Sequence, residues 1–248
     1  MPDALVINNI HKSFKDKKVL NGATLKIQEG SICGMVGPSG SGKSILLKVI
    51  GGVIRPSEGT VDINVQSDEN DKCPNVSLMF QEGALFDSMT VFDNIAFPLI
   101  QGRAPCANLP LDLKKYVCDK VSEVLARVGL SKAAYKMPAQ LSGGMRRRVS
   151  LARAIVAKPQ VVLLDDPTSG LDPVASSVIM NLITEVHKEY KPTILIVSQD
   201  LRRLFPVVDR IYALFNGKVC FEGSLADLKA CDHSLLRTFA ACRYDMAA

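Results

Sequence analysis

The sequence predicts an α/β fold with a mostly parallel sheet. The prediction rests on three apolar strands and on a helix that connects the second strand to the third. Residues 31–36, 161–164 and 193–197 are almost entirely apolar and short enough to be strands. Strands that are apolar on both faces belong in a parallel sheet that helices cover on each side. Residues 174–190 have a helical pattern and supply the crossover between the second and third strands.

The N-terminal segment predicts a β subdomain. Residues 5–7, 19–20 and 25–27 are short apolar runs separated by polar turns, which is typical of strands. We expect them to pair as an antiparallel subdomain beside the parallel core.

The middle of the chain predicts a mostly helical insertion. Residues 101–110 are rich in Pro, Gly, Ala and Asn and indicate a loop. Apolar residues then recur every three or four positions up to Gly129, which predicts an amphipathic helix, and residues 144–157 predict another. We therefore predict a core formed by residues 1–84 and 159–223, a helical subdomain at 85–158, and a helical tail at 224–248.

Composition restricts the class of protein. Hydrophobic residues make up 47% of the chain, charged residues 22%, and the net charge is +5. These values are ordinary for a globular domain and do not demand a nucleic-acid partner. No run approaches the roughly 20 apolar residues of a membrane-spanning helix, and residues 1–4 lack a signal-peptide pattern. We expect a cytoplasmic protein whose membrane role, if any, comes through a partner.

The cysteines and histidines argue against metal or disulfide stabilisation. The chain has 7 cysteines, an odd number without a Cys-x-x-Cys pair, and 3 histidines. This pattern does not favour a zinc site or a disulfide framework. We expect buried or partly buried thiols in a reducing compartment.

The strongest motif follows the first buried strand and precedes a helical segment. It matches the phosphate-binding P-loop over Gly37, Pro38, Ser39, Gly40, Ser41, Gly42, Lys43 and Ser44. The glycines let backbone N–H groups turn toward phosphate oxygens, and the helix adds its positive N-terminal end. Lys43 should reach the β- and γ-phosphates of ATP and Ser44 should hold Mg²⁺, so the core is predicted to be a P-loop (RecA-like) core.

A second motif is the carboxylate pair Asp165 and Asp166, directly after the strand at 161–164. The C-terminal end of a parallel strand is where α/β sheets bind ligands. Asp165 fits the acid that orients Mg²⁺ in P-loop ATPases. A simple turn or helix cap before Pro167 is the alternative.

A third motif is the short segment Leu141, Ser142, Gly143, Gly144 and Met145 ahead of a predicted helix. Exposed small residues at a helix start can bind anions through backbone donors. Alone, such a segment is usually a turn with a helix cap.

These motifs, in this order with Gln81 after an apolar strand and Asp172 in a Ser-Gly-Leu-Asp run, resemble the ABC transporter ATPases along nearly the whole chain. In that family two subunits pack head to tail. Each ATP lies between the P-loop of one subunit and the signature segment, here residues 141–144, of the other. The resemblance implies an ATPase that uses ATP and Mg²⁺, a second copy as partner, and an integral membrane permease.

The resemblance also implies roles for single residues. Phe14 would stack on adenine, and Gln81 would contact Mg²⁺ or the attacking water and report to the permease. Ser142, Gly143 and Gly144 would bind ATP across the dimer, and Asp172 would cross the interface. Core packing for Phe14 and a solvated loop position for Gln81 remain alternatives. The run Arg146, Arg147 and Arg148 is interpreted as a solvated helix face.

One branch of the family is the most similar. Met145 stands where most members have Gln, and residues 80–86 and 91–99 look like those of Mla-type lipid-transporter ATPases. Those work with a permease and a periplasmic MCE-domain protein to move phospholipids between membranes. The implied location is the cytoplasmic side of the inner membrane, where the subunit is peripheral, and a small regulatory subunit is a further possible partner.

Two positions depart from the family pattern. Asp166 stands where a Glu usually polarises the attacking water, and Gln199 stands where a His is usual. An Asp reaches about 1.5 Å less far, and a Gln side chain cannot carry charge or exchange a proton near neutral pH. We therefore expect ATP binding and dimer closure with slow hydrolysis.

Alternative functions stay open at this point. The chain could serve a transporter for another solute, such as an amino acid, although such ATPases often have an extra C-terminal domain. A non-transport ABC ATPase acting on DNA or ribosomes usually has two cassettes or a long coiled coil, neither of which the sequence shows. A regulatory module that binds nucleotide without turnover would also accommodate Asp166 and Gln199.

Overall fold

The computed structural model describes residues 2–15, 17–64, 76–100, 109–242 and 244. Its strands are β1 (Asp3–Phe14), β2 (Lys17–Gln28), β3 (Ile32–Val36), β4 (Glu58–Ile63), β5 (Val76–Met79), β6 (Val161–Asp165), β7 (Thr193–Val197), β8 (Arg210–Phe215) and β9 (Lys218–Gly223). Its α-helices are α1 (Lys43–Ile50), α2 (Val91–Ala96), α3 (Leu111–Arg127), α4 (Gly143–Ile155), α5 (Pro173–Tyr190), α6 (Leu201–Leu204), α7 (Leu225–Ala230) and α8 (Ser234–Ala241).

The larger sheet has six strands in the order β5-β6-β7-β3-β8-β9. Neighbouring strands are parallel from β5 to β8, and β9 alone pairs antiparallel with β8. Every residue of β3, β6 and β7 is buried. The predicted α/β fold with a mostly parallel sheet is confirmed, and continuous apolar strands form its centre because both faces are covered.

Alternate residues of the central strands face two separate cores. Val162 and Leu164 of β6 pack with the cluster that contains α3, α4 and α5. Val161 and Leu163 pack with the cluster that contains α1 and the N-terminal strands. This period of two places helices on one face and α1 with a second sheet on the other.

The second sheet is antiparallel, in the order β2-β1-β4. Its presence confirms the predicted N-terminal β subdomain, but its first two strands have 12 residues each and exceed the short apolar runs that predicted them. Their extra residues include many exposed polar side chains, which an antiparallel sheet with one solvated face accommodates.

Helices α2, α3 and α4 lie between β5 and β6 in the chain. Gly129, with φ +66°, follows α3, and this left-handed conformation is where glycine commonly ends helices. The predicted loop at 101–110 lies mostly outside the described residues. No helix among the described residues is long and apolar enough to cross a membrane. The boundaries between the core, the helical subdomain and the helical tail remain predictions.

Candidate functional site

The P-loop connects β3 to α1 and depends on one close backbone approach. Gly37 has φ +149°, and a Cβ added there would lie 2.2 Å from the carbonyl oxygen of Leu214 in β8. No side chain fits at that separation, so glycine is required where the loop leaves the sheet. Gly42, with φ +104°, is the N-cap of α1, and the loop therefore ends at a helix N-terminus.

Lys43 turns its ammonium group back into the loop. Its Nζ donates to the carbonyl oxygens of Gly37 and Pro38, both at 2.8 Å, and the residue is only 6% exposed. A buried cation at the N-terminal end of a helix makes this loop a site for anions.

Ser44 and Asp165 bring a hydroxyl and a carboxylate together beside the P-loop. Ser44 Oγ donates to Asp165 Oδ1 at 2.8 Å, although 121 residues separate the two in the chain. Burial raises the pKa of Asp165, while the hydrogen bond from Ser44 and the nearby lysines oppose that rise. Oxygen ligands of these two kinds are those that Mg²⁺ prefers, so the donor set fits this ion.

Asp166 adopts an uncommon backbone conformation at the end of β6. Its φ is +45°, in the left-handed region that Asp tolerates better than most residues. Its N–H donates to the carbonyl oxygen of Val197 at 2.8 Å, and Ser198 Oγ donates to its Oδ1 at 3.4 Å. Burial and then the charge of Asp165 raise the pKa of Asp166. These contacts fix the carboxylate at the edge of the sheet.

These groups share one cleft of about 360 Å³. Gln199 is exposed in this cleft, and its Oε1 accepts a hydrogen bond from Ser39 Oγ at 3.4 Å. Phe14, 45% exposed, lies at the same cleft and not in the core, so the core-packing alternative is wrong. The described residues lining the cleft are Phe14, Lys17, Val19, Ser39, Gly40, Gly42, Lys43, Ser44, Ile45, Asp165, Asp166, Val197 and Gln199.

Gln81 is the third predicted Mg²⁺ ligand, beside Ser44 and Asp165. It is exposed in the turn after β5, and β5 pairs in parallel with β6, with Met79 opposite Leu164. Gln81 therefore follows its strand at the same edge of the sheet as Asp165. It is not among the described residues that line the cleft.

The signature segment lies in a second groove. Ser142 is the N-cap of α4, and its Oγ accepts from the N–H of Met145 at 3.2 Å. Asp172 is the N-cap of α5, and its Oδ1 accepts from the N–H groups of Val174 and Ala175, each at 2.9 Å. The groove has a volume of about 520 Å³ and its lining includes Ser142, Gly143, Gly144, Gly170, Leu171 and Asp172. The predicted site residues thus divide between two surfaces of one chain.

The arginine run differs from its interpretation as a solvated face. Arg146 is exposed, but Arg147 and Arg148 are half-buried. Arg147 Nη2 donates to the carbonyl oxygen of Ser169 at 3.2 Å, and Arg148 Nη1 donates to that of Val128 at 2.8 Å. A charge run carries no signal for this, because position on the helix, and not charge, leaves Arg146 exposed and Arg147 and Arg148 half-buried.

Sequence reasoning also missed Asn94, which organises the segment before α2. The side chain is fully buried. Its Oδ1 accepts from the N–H of Phe86 at 2.8 Å, and its Nδ2 donates to the carbonyl oxygens of Phe86, Met89 and Thr90 at 3.0 to 3.1 Å. Nothing in an Asn within an apolar helix predicts this network.

Comparisons with known proteins agree with the geometry. The family model described as ABC transporter matches residues 20–169. Protein TRIGALACTOSYLDIACYLGLYCEROL 3, chloroplastic, of Arabidopsis thaliana is 34% identical over 94% of this chain and 72% of its own length. The methionine import ATP-binding protein MetN of Carboxydothermus hydrogenoformans is 36% identical over 90% of this chain and 67% of its own length.

A solved structure has the same architecture. It is a dimeric ATP-binding cassette in a post-hydrolysis state bound to ADP and Pi. It is 29% identical, with a TM-score of 0.76, and the match covers 89% of this chain and 98% of the other. The chain belongs to the ABC transporter family, as an ATP-binding subunit of the ATPase type.

Proposed function

We propose that this subunit binds Mg-ATP between two copies of itself and drives a membrane permease that transports phospholipid, with slow hydrolysis. The observation that carries the proposal is the division of the predicted site between the P-loop cleft and the signature groove. The P-loop cleft lacks the signature residues, and the signature groove lacks the P-loop. A head-to-tail dimer would bring the cleft of one copy against the groove of the other, and the solved relative described above is a dimer.

The residues of the cleft would have separate roles in binding Mg-ATP. Lys43 and the N-terminus of α1 would bind the phosphates, and Phe14 would stack on the base. Ser44 and Asp165, and Gln81 from the adjacent turn, would hold Mg²⁺. When bound, Mg²⁺ neutralises charge on the transferred phosphate. From the facing copy, Ser142, Gly143 and Gly144 would donate to the γ-phosphate.

Slow hydrolysis is supported by the positions of Asp166 and Gln199. The backbone of Asp166 is held by Val197 at 2.8 Å, and its carboxylate lies 3.4 Å from Ser198 Oγ, so the shorter side chain must reach an attacking water from a fixed backbone position. Misplacement of a catalytic group by about 1 Å can cost on the order of 100-fold in rate. Gln199 reaches the cleft as a neutral amide that can donate a hydrogen bond without transferring a proton.

Phospholipid as the substrate rests on two supports. Residues 80–86 and 91–99 resemble the lipid-transporter branch, as does Met145 in the signature segment. One relative is named for trigalactosyldiacylglycerol, a glycerolipid without phosphate, so its name supports a membrane lipid in general. On this proposal the subunit is peripheral on the cytoplasmic side of the inner membrane, with a permease, an MCE-domain protein and a small regulatory subunit as partners.

A second candidate function is transport of another solute. The relative named for methionine import is as similar in sequence as the plastid relative. The P-loop cleft and the signature groove serve either substrate equally, because the solute would contact the permease and not this subunit.

The test is ATP hydrolysis and transport by the subunit with its permease in phospholipid vesicles. We would measure phosphate release by the wild type, Asp166→Glu, Gln199→His and the double variant. We expect the wild type to turn over below about 1 per second, against about 10 per second for a typical enzyme. The double variant should be at least tenfold faster.

Two further results decide the substrate and the rate. Transfer of a fluorescent phospholipid that depends on ATP would support the lipid proposal, and uptake of methionine with no lipid transfer would overturn it. A wild type that already turns over at about 10 per second, with no gain in Asp166→Glu, would show that Asp166 is an adequate base. ATP binding without hydrolysis or transport would favour a regulatory module.

A further inference from the structure

Helix α4 carries three consecutive arginines in three different environments. Arg146 is exposed, and the structure gives its side chain no hydrogen bond within the described residues. Arg148 Nη1 bonds the carbonyl oxygen of Val128, directly after α3, and so ties two helices of the same insertion together. Arg147 instead leaves the insertion and bonds the carbonyl oxygen of Ser169. These three residues therefore have different physical roles despite equal charge.

Ser169 lies in the connection between β6 and α5, residues 166–172, which we call the linking segment. The N–H of Ser169 donates to the carbonyl oxygen of Asp166 at 3.1 Å, while its own carbonyl accepts from Arg147 at 3.2 Å. Ser169 thus connects the Arg147 side chain to the backbone of Asp166 through two successive hydrogen bonds. At its other end the linking segment reaches Asp172, the N-cap of α5.

The charges around Arg147 are those of the hydrolytic site. Burial lowers the pKa of Arg147, and the negative charges of Asp166, Glu82 and Asp165 oppose this. Arg147 in turn opposes the rise in the pKa of both aspartates. Its second terminal nitrogen, Nη1, is buried without a hydrogen-bond partner in the part of the chain that the structure describes. A half-buried cation therefore lies within electrostatic reach of two carboxylates.

We propose that Arg147 is a positioning residue that holds the linking segment, and with it Asp166 and Asp172, in register with the signature helix. The inference rests on the proposed ATP hydrolysis at this site. Arg147 is not among the described residues lining the P-loop cleft, so it acts on the rate of hydrolysis and on dimer closure while leaving nucleotide binding unchanged.

The test compares Arg147→Gln and Arg147→Lys with Arg146→Gln, which removes the same charge from the exposed neighbour. All three keep good helix formers in α4. With the permease present, Arg147→Gln should lower kcat about tenfold, the size expected when one charge-assisted hydrogen bond that orients a catalytic segment is lost. KM for ATP should stay within about twofold, since a change that weakens stabilisation of the transition state alone lowers kcat and leaves KM unchanged.

The conservative variant separates positioning from structure. Arg147→Lys keeps the charge and can still donate to a carbonyl oxygen, but lacks the planar guanidinium, and should lose about threefold in kcat. Arg146→Gln should match the wild type. Binding of a fluorescent ATP analogue by the isolated subunit should be equal in all variants. If Arg147→Gln does not fold, Arg147→Lys decides, and an unchanged kcat there overturns the inference.

Three results would overturn the proposal. These are equal kcat in Arg147→Gln and Arg146→Gln, a rise in KM without a fall in kcat, or loss of ATP binding in Arg147→Gln without rescue in Arg147→Lys. If the wild type hydrolyses no ATP, the proposed function fails instead. ATP-dependent association of two copies then tests Arg147: a weakening of about tenfold in Arg147→Gln alone supports the inference, and equal association opposes it.

Discussion

Replacing Gly37 with Ala tests whether the P-loop depends on the close approach to β8. The added Cβ would lie 2.2 Å from the carbonyl oxygen of Leu214 and 3.1 Å from Ser41 Oγ. The first contact is with backbone, so relief requires moving the loop away from the sheet. The matched control is Gly52→Ala, since Gly52 also has a positive φ, +71°, but a Cβ there meets nothing within 4 Å.

The magnitudes follow from these two environments. Gly52→Ala carries only the left-handed backbone cost, about 1 kcal/mol. Gly37→Ala adds a conformation almost exclusive to glycine and a displaced backbone, together at least about 3 kcal/mol. For a domain of this size each kcal/mol lowers Tm by about 2–4 °C. We therefore expect a loss of about 2–4 °C for Gly52→Ala and at least about 6 °C for Gly37→Ala.

The two variants should also differ in ATP binding. Lys43 Nζ donates to the carbonyl oxygen of Gly37, so moving this residue moves the ammonium group with it. We expect affinity for ATP, measured by titration of the isolated subunit, to fall at least about tenfold in Gly37→Ala and to stay unchanged in Gly52→Ala. Equal losses of Tm in the two variants, or wild-type affinity in Gly37→Ala, would refute the steric argument.

Three other predictions use single contacts. Ser44→Ala removes the hydroxyl bonded to Asp165 and should lower ATP hydrolysis about 100-fold with a change in Tm below about 3 °C; the same loss in EDTA-treated wild type would confirm the Mg²⁺ role. Cys33 is 1% exposed with its pKa raised to about 11 by burial, so peptide mapping after maleimide treatment at pH 7.5 should show modified Cys242 and unmodified Cys33. Asn94→Ala removes four hydrogen bonds from a fully buried side chain to the backbone of Phe86, Met89 and Thr90 and should reduce the unfolding free energy in urea by about 3 kcal/mol; a loss below about 1 kcal/mol would contradict the network.

Local patterns predicted the parts of the fold that depend on neighbouring residues. The strands β3, β6 and β7 were evident because each is buried on both faces and so is apolar throughout. The P-loop was evident because its glycines are required at fixed spacing. Cys220 and Cys242, by contrast, are exposed, against the expectation of buried or partly buried thiols, because hydrophobic character alone does not fix the burial of a small side chain.

Local sequence patterns could not predict which distant segments pair. The strand β4 has one half-buried residue and five exposed ones, so it lacks the apolar run that identifies a strand in a sequence. It is a strand because its backbone pairs with β1. The partners of Arg147 were hidden for a similar reason. Ser169 is a neighbour only after β6 and α4 have packed, and three equal charges in sequence contain no information about which one turns inward.

The linking segment explains how two separate surfaces can act as one site. Asp166, at one end, lines the P-loop cleft, and Asp172, at the other, lines the signature groove. The first end is fixed to β7 through Val197, and the second is fixed as the N-cap of α5. The middle is bonded to the signature helix by Arg147. Because the segment is short and held at three points, it would connect, in the proposed dimer, a residue that faces one nucleotide with a residue that faces the other.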